Sequence, residues 1–194
     1  MRFRKYGDTS WSVTHSTLLF GDPDSFDRAN SAVSLGDADS GQTWTAHAGT
    51  WGISGNAAYQ PSATAGGRAT VESGVADGTV EVTVATAGGS SGVVLRLSDA
   101  SNYVRAFFSS TDSIFLQKVV AGSATTIASG AVTHANGDVL RAVMSGSNYT
   151  IYQNGDEVLT GSDAFNSNFA DTLNRVTVVA DADGNRTSVT FNFS

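Results

Sequence analysis

Hydrophobic residues recur at every second position in short segments along most of the chain after residue 40. In residues 79–85, three valines share one face while Glu81 and Thr83 share the other, which is the period of a half-buried antiparallel strand. Gly, Asn, Asp or Ser bounds most of these segments, as expected at turns. The pattern predicts an all-β protein with very little helix.

The same pattern predicts a series of strands joined by tight turns, the arrangement of an antiparallel two-sheet sandwich. Asn154-Gly155 fits a type I′ hairpin turn, Asp183-Gly184 predicts a second hairpin, and residues 145–148 a third. Further strands are predicted at residues 92–97, 102–109, 113–120, 125–128, 139–145, 148–153, 157–160, 175–182 and 187–193. The predicted core includes Trp51, Val80, Val82, Val84, Leu95, Val143, Ile151, Val178 and Phe191.

Residues 1–21 lack this pattern and are interpreted as an N-terminal arm, leaving residues 22–194 as one jelly-roll sandwich domain. The chain has a net charge of −7, but three of its 11 basic residues lie among the first six. Without these six residues the net charge is −10. The arm is therefore a candidate for docking on an acidic partner, and solvation of its charges is the alternative. Its candidate partner-binding residues are Arg2, Phe3, Arg4, Lys5, Tyr6 and Trp11.

Composition excludes several classes of function. An acidic body disfavours nucleic-acid binding, so no nucleic acid is expected as a partner. The absence of cysteine excludes disulfides, thiolate metal sites and cysteine nucleophiles. No apolar run approaches the roughly 20 residues of a membrane-spanning helix, so no membrane span is expected.

Catalysis is not predicted. Glycoside hydrolases need two carboxylates flanking the scissile bond. The three glutamates, Glu72, Glu81 and Glu157, each lie in a different segment. The three histidines are far apart in sequence, and no nucleophile elbow is present. We therefore expect a protein that is not an enzyme and has no catalytic residues.

No cofactor is expected, although calcium remains open. Asp181 and Asp183 are the weak candidates for metal ligands because carboxylate oxygens suit Ca²⁺. The chain continues from this loop directly into a predicted strand, and no glutamate closes a calcium-binding loop. An Asp-Gly hairpin turn explains the same residues without an ion.

Aromatic residues that alternate with polar ones are the candidate ligand-binding residues, since flat rings can stack on sugars. Tyr103 and Arg105 lie in one predicted strand, and Tyr149 and Tyr152 in another. We expect these strands to belong to one sheet, which would bring the four side chains to one face.

Several motifs between Phe26 and Phe193 occur in a familiar order: residues 26–30 (FDRAN), 49–53 (GTWGI), 92–96 (GVVLR) and 137–141 (GDVLR). With these motifs the chain resembles the laminin-G-like or concanavalin A-like jelly rolls of structural proteins of tailed bacteriophages, the minor tail or capsid decoration proteins. The resemblance covers most of the chain, and the arm lies outside it.

The resemblance implies a non-enzymatic virion structural protein, displayed on the particle surface and attached to the capsid or tail by its arm. It also implies other virion proteins as partners, a homo-oligomer or symmetric array, and adhesion to glycans of the host surface. The alternative is a carbohydrate-binding, lectin-like module of a secreted bacterial protein. A relative of glycoside hydrolases is a further alternative.

Overall fold

The computed structural model describes residues 24–62, 64, 66–72, 76–84, 90–166, 173–178 and 186–190, the last two ranges by their backbone. These residues form strands, turns and loops and contain no helix. No helix of the described chain is therefore long and apolar enough to cross a membrane. The predicted arm and the Asp181–Asp183 loop lie outside the described residues.

Fourteen strands make up the described fold. Four short ones come first, and the longer ones follow from residue 78 onward. Their bounds are β1 (Thr45–Ala48), β2 (Gly52–Ile53), β3 (Ala58–Tyr59), β4 (Arg68–Glu72), β5 (Gly78–Val84), β6 (Ser91–Asp99), β7 (Asn102–Ser109), β8 (Ser113–Val120), β9 (Ser123–Ala131), β10 (Val139–Ser145), β11 (Asn148–Gln153), β12 (Asp156–Ser162), β13 (Leu173–Val178) and β14 (Arg186–Thr190).

The strands form two antiparallel sheets of seven strands each. The first sheet has the order β1-β4-β13-β6-β7-β8-β9, and the second has the order β12-β11-β10-β5-β14-β3-β2. Apolar side chains of both sheets meet in one core cluster. The predicted all-β, two-sheet sandwich is thereby confirmed.

Among the predicted core residues whose side chains the structure describes, all but one are buried. Trp51, Leu95, Ile151 and the valines of β5 are buried as predicted. The prediction for Val143 is wrong, because Val143 is only half-buried and lies on the outward face of β10. Both faces of β10 carry apolar residues, and the core takes the set Leu140, Ala142 and Met144. The side chains of Val178 and Phe191 lie outside the described part of the chain.

Turn residues adopt the backbone conformations that their chemistry favours. Asn154 and Gly155 have φ angles of +53° and +95°, and both signs fit the predicted type I′ turn between β11 and β12. Asp112 ends the three-residue turn between β7 and β8 with a φ of +51°. That turn sets Ser109 opposite Ser113 and so fixes the register of the whole β7–β8 hairpin.

The side chain of Arg96, which lies at a β-bulge in β6, links the two sheets. The pairing of β6 with β7 shifts register after Leu95, and Arg96 has a φ of +48°. Its fully buried guanidinium donates to Tyr149 Oη of β11 at 3.0 Å and to Asp77 Oδ1 at 2.9 Å. The bulge therefore turns a charged side chain of the first sheet toward the second, where three acceptors, including the carbonyl of Ala76, satisfy it.

Candidate functional site

The four predicted ligand-binding residues lie on different sheets. Tyr103 and Arg105 belong to β7 of the first sheet, whereas Tyr149 and Tyr152 belong to β11 of the second. The prediction that one sheet unites them is wrong. The β7–β8 and β10–β11 hairpins show the same alternation of apolar and polar residues. The pairing of β6 with β13 places the first hairpin in the first sheet, and the pairing of β10 with β5 places the second hairpin in the second sheet. These long-range pairings leave no signal within the hairpins themselves.

Tyr149 faces the core and is 1% exposed, with its ring 4.9 Å from the guanidinium carbon of Arg96. Burial raises the pKa of Tyr149 above its ordinary value, against the opposing effect of Arg96. Tyr152 lies on the outward face of the second sheet, where Arg141 stacks on its ring at 4.1 Å. Only Tyr103 and Arg105 therefore lie together.

The outward face of the first sheet gathers aromatic, guanidinium and amide groups from three strands. We call it the front face and define it by six residues. These residues are Arg68 of β4, Tyr103, Arg105 and Phe107 of β7, and Phe115 and Gln117 of β8.

Two phenylalanines form the apolar part of the front face. Phe107 and Phe115 are cross-strand partners, and their rings stack with centroids 5.5 Å apart and an interplanar angle of 20°. Both side chains are half-buried, so part of each ring remains accessible. On the other side of Phe107, β6 presents Gly92, where an added Cβ would lie 2.1 Å from the carbonyl oxygen of Ala106. Only glycine fits that position against β7.

A chain of polar contacts runs beside the phenylalanine pair. Nε and Nη2 of Arg105 both donate to Oε1 of Gln117, at 3.0 and 2.6 Å. The Gln117 amide in turn donates to Thr126 Oγ1 at 3.2 Å. Burial lowers the pKa of Arg105 below its ordinary value, Tyr103 counteracts this effect, and the charge of Arg68 adds to it. The guanidinium still carries its charge at neutral pH, because arginine titrates far above that range.

Arg68 reaches the front face from a strand that is not a neighbour of β7. It lies on β4, and two strands separate it from Tyr103 on β7, so the two strands are roughly 14 Å apart. Nevertheless, Nη1 of Arg68 donates to Tyr103 Oη at 3.0 Å and Nη2 donates to the Ala100 carbonyl at 3.0 Å. Both long side chains therefore lean over the intervening strands and meet above them.

Tyr103 belongs to the front face but is buried within it by its neighbours. It is 4% exposed and packs with Val94, Leu97 and Val119 in a small second cluster on this side of the sheet. Its hydroxyl accepts from Arg68. A ligand on the front face would therefore meet Arg105, Phe107, Phe115 and Gln117 first.

The sequence interpretation missed Arg68, Phe115 and Gln117 as candidates. A usable signal exists for the last two, since both β7 and β8 are predicted with their observed bounds. A three-residue turn between them places Phe115 opposite Phe107 and Gln117 opposite Arg105. No local signal identifies Arg68, because β4 is a short strand whose partners are distant in sequence.

No strand in the described part of the chain presents two acidic residues on one face. Asp156 and Glu157 are neighbours on β12 and so point to opposite faces. Within the same residues, no group of three His, Cys, Asp or Glu side chains is placed to hold a metal ion. The front face offers rings, an amide and cations, which suit binding by stacking and hydrogen bonding.

We predict that no metal ion supports the fold. Adding EDTA should leave the melting temperature unchanged, because loop carboxylates such as Asp37 and Asp39 already accept hydrogen bonds from Thr43 Oγ1 and the Ser25 amide. Thermal unfolding followed by circular dichroism with and without chelator measures this. A fall of several degrees would reveal a structural ion and contradict the prediction.

Comparison with solved structures identifies the fold. No protein-family model and no curated protein matches the sequence. The solved carbohydrate-binding module CBM66 from Bacillus subtilis superposes with a TM-score of 0.62 at 18% identity, over 78% of this chain and 95% of that one. The fold is a concanavalin A-like jelly roll.

Two further structures share the jelly roll. A prokaryotic β-1,3-1,4-glucanase (lichenase) from a mouse hindgut metagenome gives a TM-score of 0.57 at 10% identity, over 88% of this chain and 97% of that one. The carbohydrate recognition domain of Emp46p gives 0.54 at 11% identity, over 75% and 84%. At such identities the likeness establishes the fold, and the front face must supply the functional argument.

Proposed function

We propose that this jelly roll binds a carbohydrate on its front face and catalyses no reaction on it. The observation that carries the proposal is the half-buried Phe107–Phe115 pair beside the Arg105–Gln117 pair on the outward face of the first sheet. Sugar rings present C–H groups that stack on aromatic faces, and their hydroxyls accept from guanidinium and exchange hydrogen bonds with amides. On the front face an aromatic pair and a guanidinium–amide pair lie next to each other.

The similar structures support the same proposal. They include a carbohydrate-binding module and a carbohydrate recognition domain, and neither these nor the lichenase is a phage particle protein. Glycan binding, which the sequence leaves as the alternative, therefore has better support than a role in a virion. Attachment to a virion through residues 1–21 stays a prediction, because the arm lies outside the described residues.

The proposed lack of catalysis is supported by the lack of paired carboxylates among the described residues of the front face. The outward side chains of β7 in this face are Tyr103, Arg105 and Phe107, none of which can serve as the carboxylate of a glycoside hydrolase. We expect no release of reducing sugar from any polysaccharide that the protein binds. Release above that of a buffer control would contradict this part of the proposal and leave binding intact.

Replacing Phe107 with alanine should weaken glycan binding about tenfold, because the stacked ring contributes roughly 1.4 kcal/mol. The measurement is isothermal titration calorimetry with a ligand selected on a glycan array. Tyr152→Ala is the matched control, since Tyr152 is a half-buried aromatic residue on the outward face of the other sheet. Loss of binding in the Tyr152 variant alone would move the site to the second sheet and contradict the proposal.

A further inference from the structure

We propose that the glycan bound by the front face is acidic, a polysaccharide that carries carboxylate or sulfate groups. This inference rests on the proposed function and adds the chemical class of the ligand. It is carried by the cationic groups of the face, which lack acidic partners within the described chain although the protein as a whole is acidic.

Two buried or partly buried arginines of the described chain have carboxylate partners: Arg28 pairs with Asp24 at 2.8 Å, and Arg96 pairs with Asp77 at 2.9 Å. Arg68 and Arg105 form no ion pair with any described residue, and the same holds for Arg141, which lies on the outward face of the second sheet. The front face differs in that it holds two such arginines. Two partly desolvated positive charges therefore share the front face with no described carboxylate to offset them, an arrangement that an anionic ligand stabilises.

Arg105 is oriented for such a ligand. Two of its nitrogens share the single oxygen of Gln117, which holds the guanidinium plane in position. Nη1 makes no hydrogen bond to a described residue and is not buried. A fixed guanidinium with a free N–H edge is suited to carboxylate and sulfate oxygens, which accept charge-assisted hydrogen bonds. The Phe107 ring lies 4.7 Å from its guanidinium carbon, so charge and stacking surface are adjacent.

Arg68 adds a second positive charge to the front face, from β4. Its Nη atoms are committed to Tyr103 and the carbonyls of Gly66 and Ala100, while its Nε is buried and makes no hydrogen bond to a described residue. The charge of Arg68 is close enough to lower the pKa of Arg105. Like charges at this spacing repel, and a negative group between them would relieve that repulsion.

The net charge of −7 argues against indiscriminate binding of polyanions. Long-range repulsion from an acidic body opposes any polyanion that lacks matching local contacts. An acidic glycan supplies those contacts because it brings both an anionic group for Arg105 and a sugar ring for the phenylalanine pair. A nucleic acid is the competing polyanion and serves as an arm of the test.

The test compares polymers that differ only in charge. Binding of the full chain to polygalacturonate is measured by calorimetry against the same polymer with its carboxyl groups methyl-esterified, and alginate and chondroitin sulfate extend the acidic set. Laminarin, levan and xyloglucan form the neutral set. We expect binding to at least one acidic polymer that falls tenfold or more when its charge is removed, and that weakens with salt.

Three variants test whether the charge-dependent binding occurs at the front face. Arg105→Gln should lose about 10- to 100-fold in affinity for the acidic polymer. Arg105→Lys keeps the charge and should recover part of that loss. Arg141→Gln, on the outward face of the second sheet, is the matched control and should bind as the unmodified chain does. Equal melting temperatures of the three variants establish that folding is unaffected.

Each contrary result has a distinct meaning. Equal affinity for neutral and acidic polymers, with Arg105→Gln unchanged, overturns the inference and leaves glycan binding in place. Equal affinity for double-stranded DNA, poly-glutamate and the acidic glycan also overturns it, since charge alone would then suffice. Binding to no polymer of either set overturns the proposed function itself.

Discussion

Replacing Trp51 with alanine should lower the free energy of unfolding by about 3–5 kcal/mol, the cost of removing a large buried aromatic side chain. Trp51 is 2% exposed, and its Nε1 donates to the Ala48 carbonyl at 3.0 Å. It also lines a cavity of about 200 Å³. Truncation would enlarge that cavity, and collapse of the neighbouring chain would recover little of the lost packing.

Chemical denaturation measures the effect, and Val33→Ala is the matched control. Val33 lines the same cavity but is 81% exposed, so its truncation should change stability by less than about 0.5 kcal/mol. A loss below about 1 kcal/mol for Trp51→Ala would show that the cavity wall is not part of the cooperative core.

Replacing Asp24 with alanine should destabilise the protein by about 3–5 kcal/mol, because the change leaves charged and polar donors unpaired in a buried setting. Asp24 is buried and accepts from the guanidinium of Arg28 at 2.8 and 3.0 Å. Its carboxylate also accepts from the indole N–H of Trp44 and from the Phe26 amide. The Asp24 side chain thus connects Phe26, Arg28 and Trp44 through its carboxylate.

Two variants isolate the role of the Asp24 charge. Asp24→Asn keeps an acceptor for Trp44 and loses the ion pair with Arg28, so it should cost less than Asp24→Ala. Asp27 is an exposed carboxylate whose one partner among the described residues is the Asn56 amide, so Asp27→Ala should change stability by less than about 1 kcal/mol. Equal unfolding curves for Asp24→Ala and Asp27→Ala would contradict the prediction.

Local pattern predicts the long strands well. The bounds of β7, β8, β10 and β11 agree with those expected from alternation and turn residues. The four strands before residue 73 were not predicted, because β2 and β3 have two residues each and β1 begins with exposed positions. Strands of this length are stabilised by pairing with longer strands and by buried side chains such as Trp44 and Trp51. A short sequence window does not include those pairing partners, so it gives no signal for the short strands.

The front face was predictable only within one hairpin. Arg105 and Tyr103 were identified on β7, and their partners on β8 follow from the turn that joins the two strands. Arg68 is 35 residues away from its partner Tyr103, and contact between them depends on the order of the strands in the sheet. The assignment of Tyr149 to the same surface was wrong for a related reason, since the order of strands in each sheet is a property of the complete chain.

The β7–β8 hairpin separates the proposed ligand-binding positions from the core positions along one continuous segment. Outward positions at Arg105, Phe107, Phe115 and Gln117 alternate with core positions such as Ala106 and Leu116. These four outward positions can therefore be varied without altering the interior. A small library confined to the outward positions would convert this domain into a scaffold for new specificities, in which selection acts on the ligand while the alternate residues preserve the fold.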